Sequence, residues 1–222
     1  MPYILAPDFT FCEPGGRRIF LDLRGDRYFC LSEEADIAFS ALVDGTPSPG
    51  DLERLEALRR NGMLHVAAEA EPPRACGTRV IDFAPLDDEP APESQAVAVL
   101  DAAVRLWLAK RALRHRPLYA ECAELRRAKA GLCARDSAAN GRELVEMAFA
   151  FQASGRYVEA LDECLAVSLA LARQALHRRF RAELILGVRL RPFQAHAWVM
   201  VDGMLISDRL HVVRQFTPIL IL

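Results

Sequence analysis

The apolar and polar positions of this chain change period along its length, and the changes mark out its elements. Arg17 to Leu23 and Arg27 to Leu31 read as two short strands joined by Arg24-Gly25-Asp26, with Phe9 to Cys12 a weaker strand candidate, so a small antiparallel sheet is expected near the start. Ser32 is a helix cap followed by Glu33 and Glu34, and Ala35, Ala38, Phe39 and Leu42 then repeat at helical spacing until Gly45. Ser48-Pro49-Gly50-Asp51 gives a second start, with Pro at the first helical position and an acid placed to close a capping box. Leu52, Leu55 and Leu58 form its inward face up to Asn61-Gly62, before Met63-Leu64-His65-Val66. A strand pair followed by two helices and that last run suggests a shortened winged-helix-like module.

Beyond it, Glu69 to Ser94 holds five prolines and the acidic run Asp87-Asp88-Glu89, the composition of a linker. We therefore expect a first domain over residues 1–70, a linker over 71–94 and a second domain over 95–222. In the second, Val97 to Leu132 is helical, with Leu100, Val104, Leu106, Leu108 and Leu113 apolar and with Trp107 and Tyr119 read as core residues; Glu143 to Phe151 is another helix. A helix from about Val158 to Phe180 is apolar on nearly every side, which predicts a buried central position. Strand runs follow at 182–190, 194–201 and 204–208, so the fold class is α+β.

A hydrophobic share of 52% over 222 residues suffices for packed cores, while a formal charge of -2 removes the basic surplus that a phosphate-tracking surface needs. Arg54, Arg59 and Arg60 are matched by Asp51, Glu53 and Glu56. Nucleic acid is not an expected partner. No apolar run approaches the roughly 20 residues of a membrane helix, and the N-terminus does not read as a signal peptide, so a cytoplasmic protein with no membrane span is expected. Six scattered cysteines without a CxxC pair argue against a disulfide framework or structural zinc, and no metal is expected.

Chemistry concentrates on three residues. Cys164 lies in the first turns of the central helix, where the positive end of the helix dipole favours a thiolate. His196 sits on a following strand within His196-Ala197-Trp198-Val199, and Asp208 closes the next strand run. Taken singly, each has an ordinary structural explanation. Together they supply a thiolate nucleophile, an imidazole acid/base and a carboxylate that fixes the imidazole tautomer.

This order of Cys, His and Asp resembles the transglutaminase-like branch of papain-fold enzymes. Glu163-Cys164-Leu165-x-x-Ser168-x-Ala170-Leu171, Ala195-His196-Ala197-Trp198-Val199, and Asp208 with Phe216-x-x-Ile219 resemble the lasso peptide B proteins over about residues 140 to 222. Near the start, Ile19-Phe20-Leu21-Asp22-Leu23-x-x-x-Arg27-Tyr28-Phe29-x-Leu31-Ser32 is similar to the PqqD-like precursor-recognition module, which takes a leader peptide as an added strand. The interval from Gly45 to Asp51 leaves no room for the middle helix of longer members.

The resemblance implies a leader peptidase in lasso peptide maturation, with Arg27, Tyr28, Phe29, Leu55 and Arg59 as leader contacts. It implies two partners, the precursor leader and an asparagine-synthetase-like cyclase, and no cofactor on this chain. Any ATP use belongs with the cyclase, since no GxxxxGK[ST] loop is present. An acyl transferase that resolves a Cys164 thioester with an amine, and a peptide-binding scaffold without turnover, are the alternatives.

The triad also places a demand on the hairpin around Asp202-Gly203. A two-residue turn pairs Val201 with Met204, and counting outward sets Asp208 opposite Ala197 and facing away from His196. A three-residue loop, or another bulge with the same one-residue correction, is therefore expected.

Overall fold

The computed structural model describes residues 3–67, 71–89, 96–132, 141–155 and 163–222. The chain divides into two compact units, Met1–Gly77 and Thr78–Leu222.

In the first unit, β2 (Phe9–Cys12), β3 (Ile19–Asp22) and β4 (Arg27–Phe29) form an antiparallel sheet with β3 in the centre. Its strands stay short because Asp22 stops the hairpin: its Oδ1 accepts the N–H groups of Arg24 and Gly25, and its Oδ2 meets the Arg27 guanidinium. Helix α1 (Glu33–Val43) begins at the Ser32 cap, and α2 (Pro49–Arg60) begins with the reciprocal Ser48–Asp51 capping box. Gly45 takes the left-handed conformation, φ 74°, that ends α1.

The core of this unit is aromatic. Phe39 of α1 sets its ring edge against Phe11 and Phe20 at centroid distances of 5.2 and 5.1 Å, and Phe29 stacks on Phe20 at 5.5 Å. A second ribbon pairs β1 (Tyr3–Leu5) with β5 (Leu64–Val66), joining the start of the unit to the segment after α2.

In the second unit, α4 (Ala96–His115) and α7 (Cys164–His177) run antiparallel, with Asp101 bonded to Gln174 near one end and Lys110 paired with Glu163 at the other. Helices α5 (Leu118–Ala130) and α6 (Gly141–Ser154) also contact α7, which lies on a four-stranded antiparallel sheet ordered β8-β7-β6-β9. The strands are β6 (Ala182–Leu190), β7 (Phe193–Val201), β8 (Met204–Leu205) and β9 (Thr217–Ile221), with the short α8 (Leu210–Val213) before the last.

The central helix is buried as its pattern predicts, but it starts at Cys164; Val158 to Asp162, given to it from the sequence, lie outside the described residues. Trp107 is not a core residue. It is 57% exposed, on a face of α4 that also shows Val97, Leu100, Val104 and Leu108, because Ala102, Leu106 and Ala109 take the inward side.

Residues 78–89 are not a free spacer. Asp82 donates its N–H to the Gly203 carbonyl, Phe83 bridges to Met204, and the Phe83 carbonyl accepts from Leu205. These contacts cover the outer edge of β8, while Ala84 and Leu86, on or beside α3 (Pro85–Asp88), are buried. Burying one Leu-sized side chain contributes about 1.5–3 kcal/mol. A fragment spanning residues 78–222 is therefore expected to unfold several degrees above one spanning 95–222. Equal midpoints in thermal denaturation by circular dichroism would remove residues 78–94 from the second unit.

Candidate functional site

Cys164 occupies the first position of α7, after Glu163. The backbone N–H groups of that turn have no partner inside the helix and carry the positive end of its dipole. One turn on, the Ser168 hydroxyl donates to the Ala197 carbonyl at 2.9 Å, both groups being buried. This bond fixes the start of α7 against β7 beside His196. Nothing in the local sequence around Ser168 signals this tie to the strand.

His196 stands on β7 directly opposite Gly187 of β6. Its ring stacks on Phe216 at 4.9 Å and lies 6.2 Å from Trp198, nearly parallel to both. Room for these rings comes from Gly187, where a Cβ atom would stand 2.6 Å from two Trp198 ring atoms and 3.1 Å from the Phe216 Cβ. The ladder between β6 and β9 shifts register at the same place.

Asp208 reaches the imidazole, but not through the expected loop. The hairpin has the regular two-residue turn: Val201 pairs with Met204 and Met200 with Leu205. Asp202 and Gly203 have φ 46° and 82°, the paired left-handed conformations that a tight hairpin turn requires. Counting outward failed because the ladder stops. Ile206 still donates to the Val199 carbonyl, yet the Val199 N–H turns to the Ser207 hydroxyl at 2.8 Å instead of a backbone oxygen. The chain then leaves the sheet, and Asp208 Oδ2 comes within 2.5 Å of His196 Nε2. Its other oxygen accepts the Arg209 N–H at 2.7 Å, so both carboxylate oxygens are engaged.

With Nε2 taken by Asp208, Nδ1 is the ring nitrogen left to interact with the Cys164 thiol. Burial by itself would push the Cys164 thiol up, but the hydrogen bond and charge of His196, with the Ala197 and Leu165 N–H groups, bring it below its ordinary value. For His196 burial acts toward the neutral ring, and the hydrogen bonds to Asp208 and Cys164 overcome it, raising the imidazole to about 9. The site therefore favours a thiolate–imidazolium pair.

Of the residues named as leader contacts, Arg27, Tyr28 and Phe29 lie on β4, a sheet edge paired on one side only. Arg27 pairs with Asp22 and covers the Phe29 ring, and Arg59 is held by Glu56 on its own helix. Leu55, expected among these contacts, cannot be one of them. It is fully buried in the aromatic core, where the apolar face of α2 packs against the sheet, and has no surface for a peptide.

Residues 96–221 match the model of the transglutaminase-like superfamily. The chain belongs to that superfamily. This places the Cys164, His196 and Asp208 cluster inside the superfamily domain, as the resemblance of the sequence implied. The chain is also similar to the microcin J25-processing protein McjB of Escherichia coli, with 46% identity over 47 residues, which is 21% of this chain and 23% of that protein. The match thus spans less than a quarter of the curated relative. No solved structure matches the chain significantly. Among the described residues no helix is long and apolar enough to cross a membrane.

Two outcomes follow from this geometry. In a histidine-resolved NMR titration, His196 should lose its proton at about pH 9, and Asp208→Asn should move that midpoint down toward the ordinary 6.5, because the amide no longer holds the cation. An unmoved midpoint would remove Asp208 from the pair. Gly187→Ala should destabilise the unit by about 1–3 kcal/mol through forced overpacking, read as a lowered urea midpoint, whereas a stability equal to wild type would show that the ring cluster has slack.

Proposed function

We propose that this protein is a leader peptidase of lasso peptide maturation, acting through Cys164, His196 and Asp208. The observation that carries the reading is the thiol at the head of α7 coupled to an imidazole whose far nitrogen is held by a carboxylate, within the transglutaminase-like domain of a chain that is similar over a short stretch to a microcin-processing protein. Sγ attacks the scissile carbonyl carbon, and the developing oxyanion meets backbone N–H groups of the first turn of α7. As the C–N bond breaks, His196 gives its proton to the leaving amine, which is the N-terminus of the core peptide. The leader remains as a thioester on Cys164. Water then surrenders a proton to His196 and attacks that thioester, releasing the leader as a carboxylate and restoring the thiol pair.

The edge of β4 supports a role for the first unit in leader binding. A strand at the end of a sheet can take an extended peptide along its outer side, with Arg27, Tyr28, Phe29 and Arg59 as side-chain contacts. The freed core would pass to an asparagine-synthetase-like cyclase, and ATP would be consumed there. We place the reaction in the cytoplasm. The superfamily name favours one competing outcome, transfer of the leader acyl group to an amine, since the same thioester precedes both.

Incubation with a lasso precursor peptide should release the leader as a free acid, identified by mass spectrometry. Cys164→Ala should abolish release while leaving circular dichroism and leader binding unchanged. A leader recovered as an amide adduct in the presence of added amine would point to transferase chemistry, and cleavage surviving in the Cys164→Ala protein would overturn the assignment. The fragment 1–77 should bind a leader peptide in fluorescence anisotropy, and 78–222 should cleave poorly until that fragment is restored. Binding of duplex DNA by 1–77 with a steep salt dependence would instead refute leader recognition.

A further inference from the structure

The residue before the nucleophile is an acid. Glu163 stands at the N-cap of α7, yet its side chain does not cap the helix. It turns to α4, where its Oε2 forms an ion pair with the Lys110 ammonium, a contact of charges without the alignment of a hydrogen bond. Lys110 is mostly buried, its side chain 13% exposed, so this pair is only weakly screened.

The position has an electrostatic cost for a nucleophile. A carboxylate next to Cys164 opposes the thiolate and offsets the helix dipole that favours it. The charged groups around the head of α7 are few among the described residues. β7 contributes His196, the chain after β8 contributes Asp208, and α4 contributes Lys110. Glu121, Glu124 and Arg173 of α5 and α7 pair farther along α7, and Glu143 of α6 pairs with Arg178 beyond its end. Within this set, Lys110 is the cation opposed to Glu163, and it also ties the first turn of α7 to the neighbouring helix.

We propose that Lys110 is a positioning residue for Cys164, neutralising Glu163 so that the acid can anchor the head of α7 without suppressing the thiolate. The inference rests on Cys164 being the working nucleophile, but its test needs no peptide substrate. The full chain is alkylated with iodoacetamide across a pH series, and the modification of Cys164 is followed by mass spectrometry of the peptide that contains it.

Lys110→Met should raise the apparent pKa of Cys164 by about one unit, which is about tenfold slower alkylation at pH values below it. Lys110→Arg should keep the wild-type profile. Glu163→Gln should lower the pKa, and the double variant Lys110→Met with Glu163→Gln should return it close to wild type. An unshifted profile in a folded Lys110→Met protein would overturn the proposal. A double variant still shifted like Lys110→Met would do the same, since the lysine would then act by packing and not through the charge of Glu163. Should Lys110→Met fail to fold, Glu163→Gln decides: a pKa that does not fall refutes the electrostatic role. A normal set of shifts without leader cleavage would leave this proposal standing and remove the peptidase reading instead.

Discussion

The site depends on one buried hydrogen bond, from the Ser168 hydroxyl of α7 to the Ala197 carbonyl of β7. A helix lying on a sheet can slide or rotate at modest cost while its contacts remain apolar, because dispersion is not directional. A polar bond between two buried groups removes that freedom, since slippage would leave a donor and a carbonyl unsatisfied. Ser168 is one helical turn from Cys164, and Ala197 is the neighbour of His196. A single constraint therefore sets thiol against imidazole, and the remaining packing holds a register already chosen.

Around that constraint the site is built from groups that are each incomplete alone. The dipole at the head of α7 would favour a thiolate, but burial opposes it, and the balance turns on His196. Burial alone would drive His196 neutral; Asp208 and Cys164 together hold its charge, and Asp208 reaches the ring where Ser207 ends the strand ladder. The first unit shows a similar economy at its hairpin, where Asp22 accepts two backbone N–H groups and pairs with Arg27, fixing the turn and one end of the exposed edge strand.

Much of this was legible in the sequence where local signals act over a few residues. The caps at Ser32 and Ser48, the stop at Gly45, the two long strands and the buried character of α7 all follow from spacing and side-chain chemistry. What failed was information that only a neighbour supplies. Trp107 was assigned to the core because it is large and apolar, yet the inward face of α4 was already filled by Ala102, Leu106 and Ala109. Leu55 lies on the inward face of α2, as its spacing predicted, and is for that reason out of reach of a ligand. The expected three-residue loop is absent because strand alternation holds only while the ladder lasts, and nothing in the local sequence announces that a serine side chain will take the place of a backbone acceptor.

The aromatic surroundings of His196 make the protein its own spectroscopic reporter. The chain has two tryptophans, Trp107 on an exposed helix face and Trp198 buried beside the imidazole with ring centroids 6.2 Å apart. An imidazolium accepts an electron from an excited indole more readily than a neutral ring does, so the protonation state of His196 is written into the emission of Trp198. The buried indole also emits at shorter wavelength than the solvated one, which separates the two signals. The charge state of the thiol pair can thus be followed optically, without a substrate and without a label.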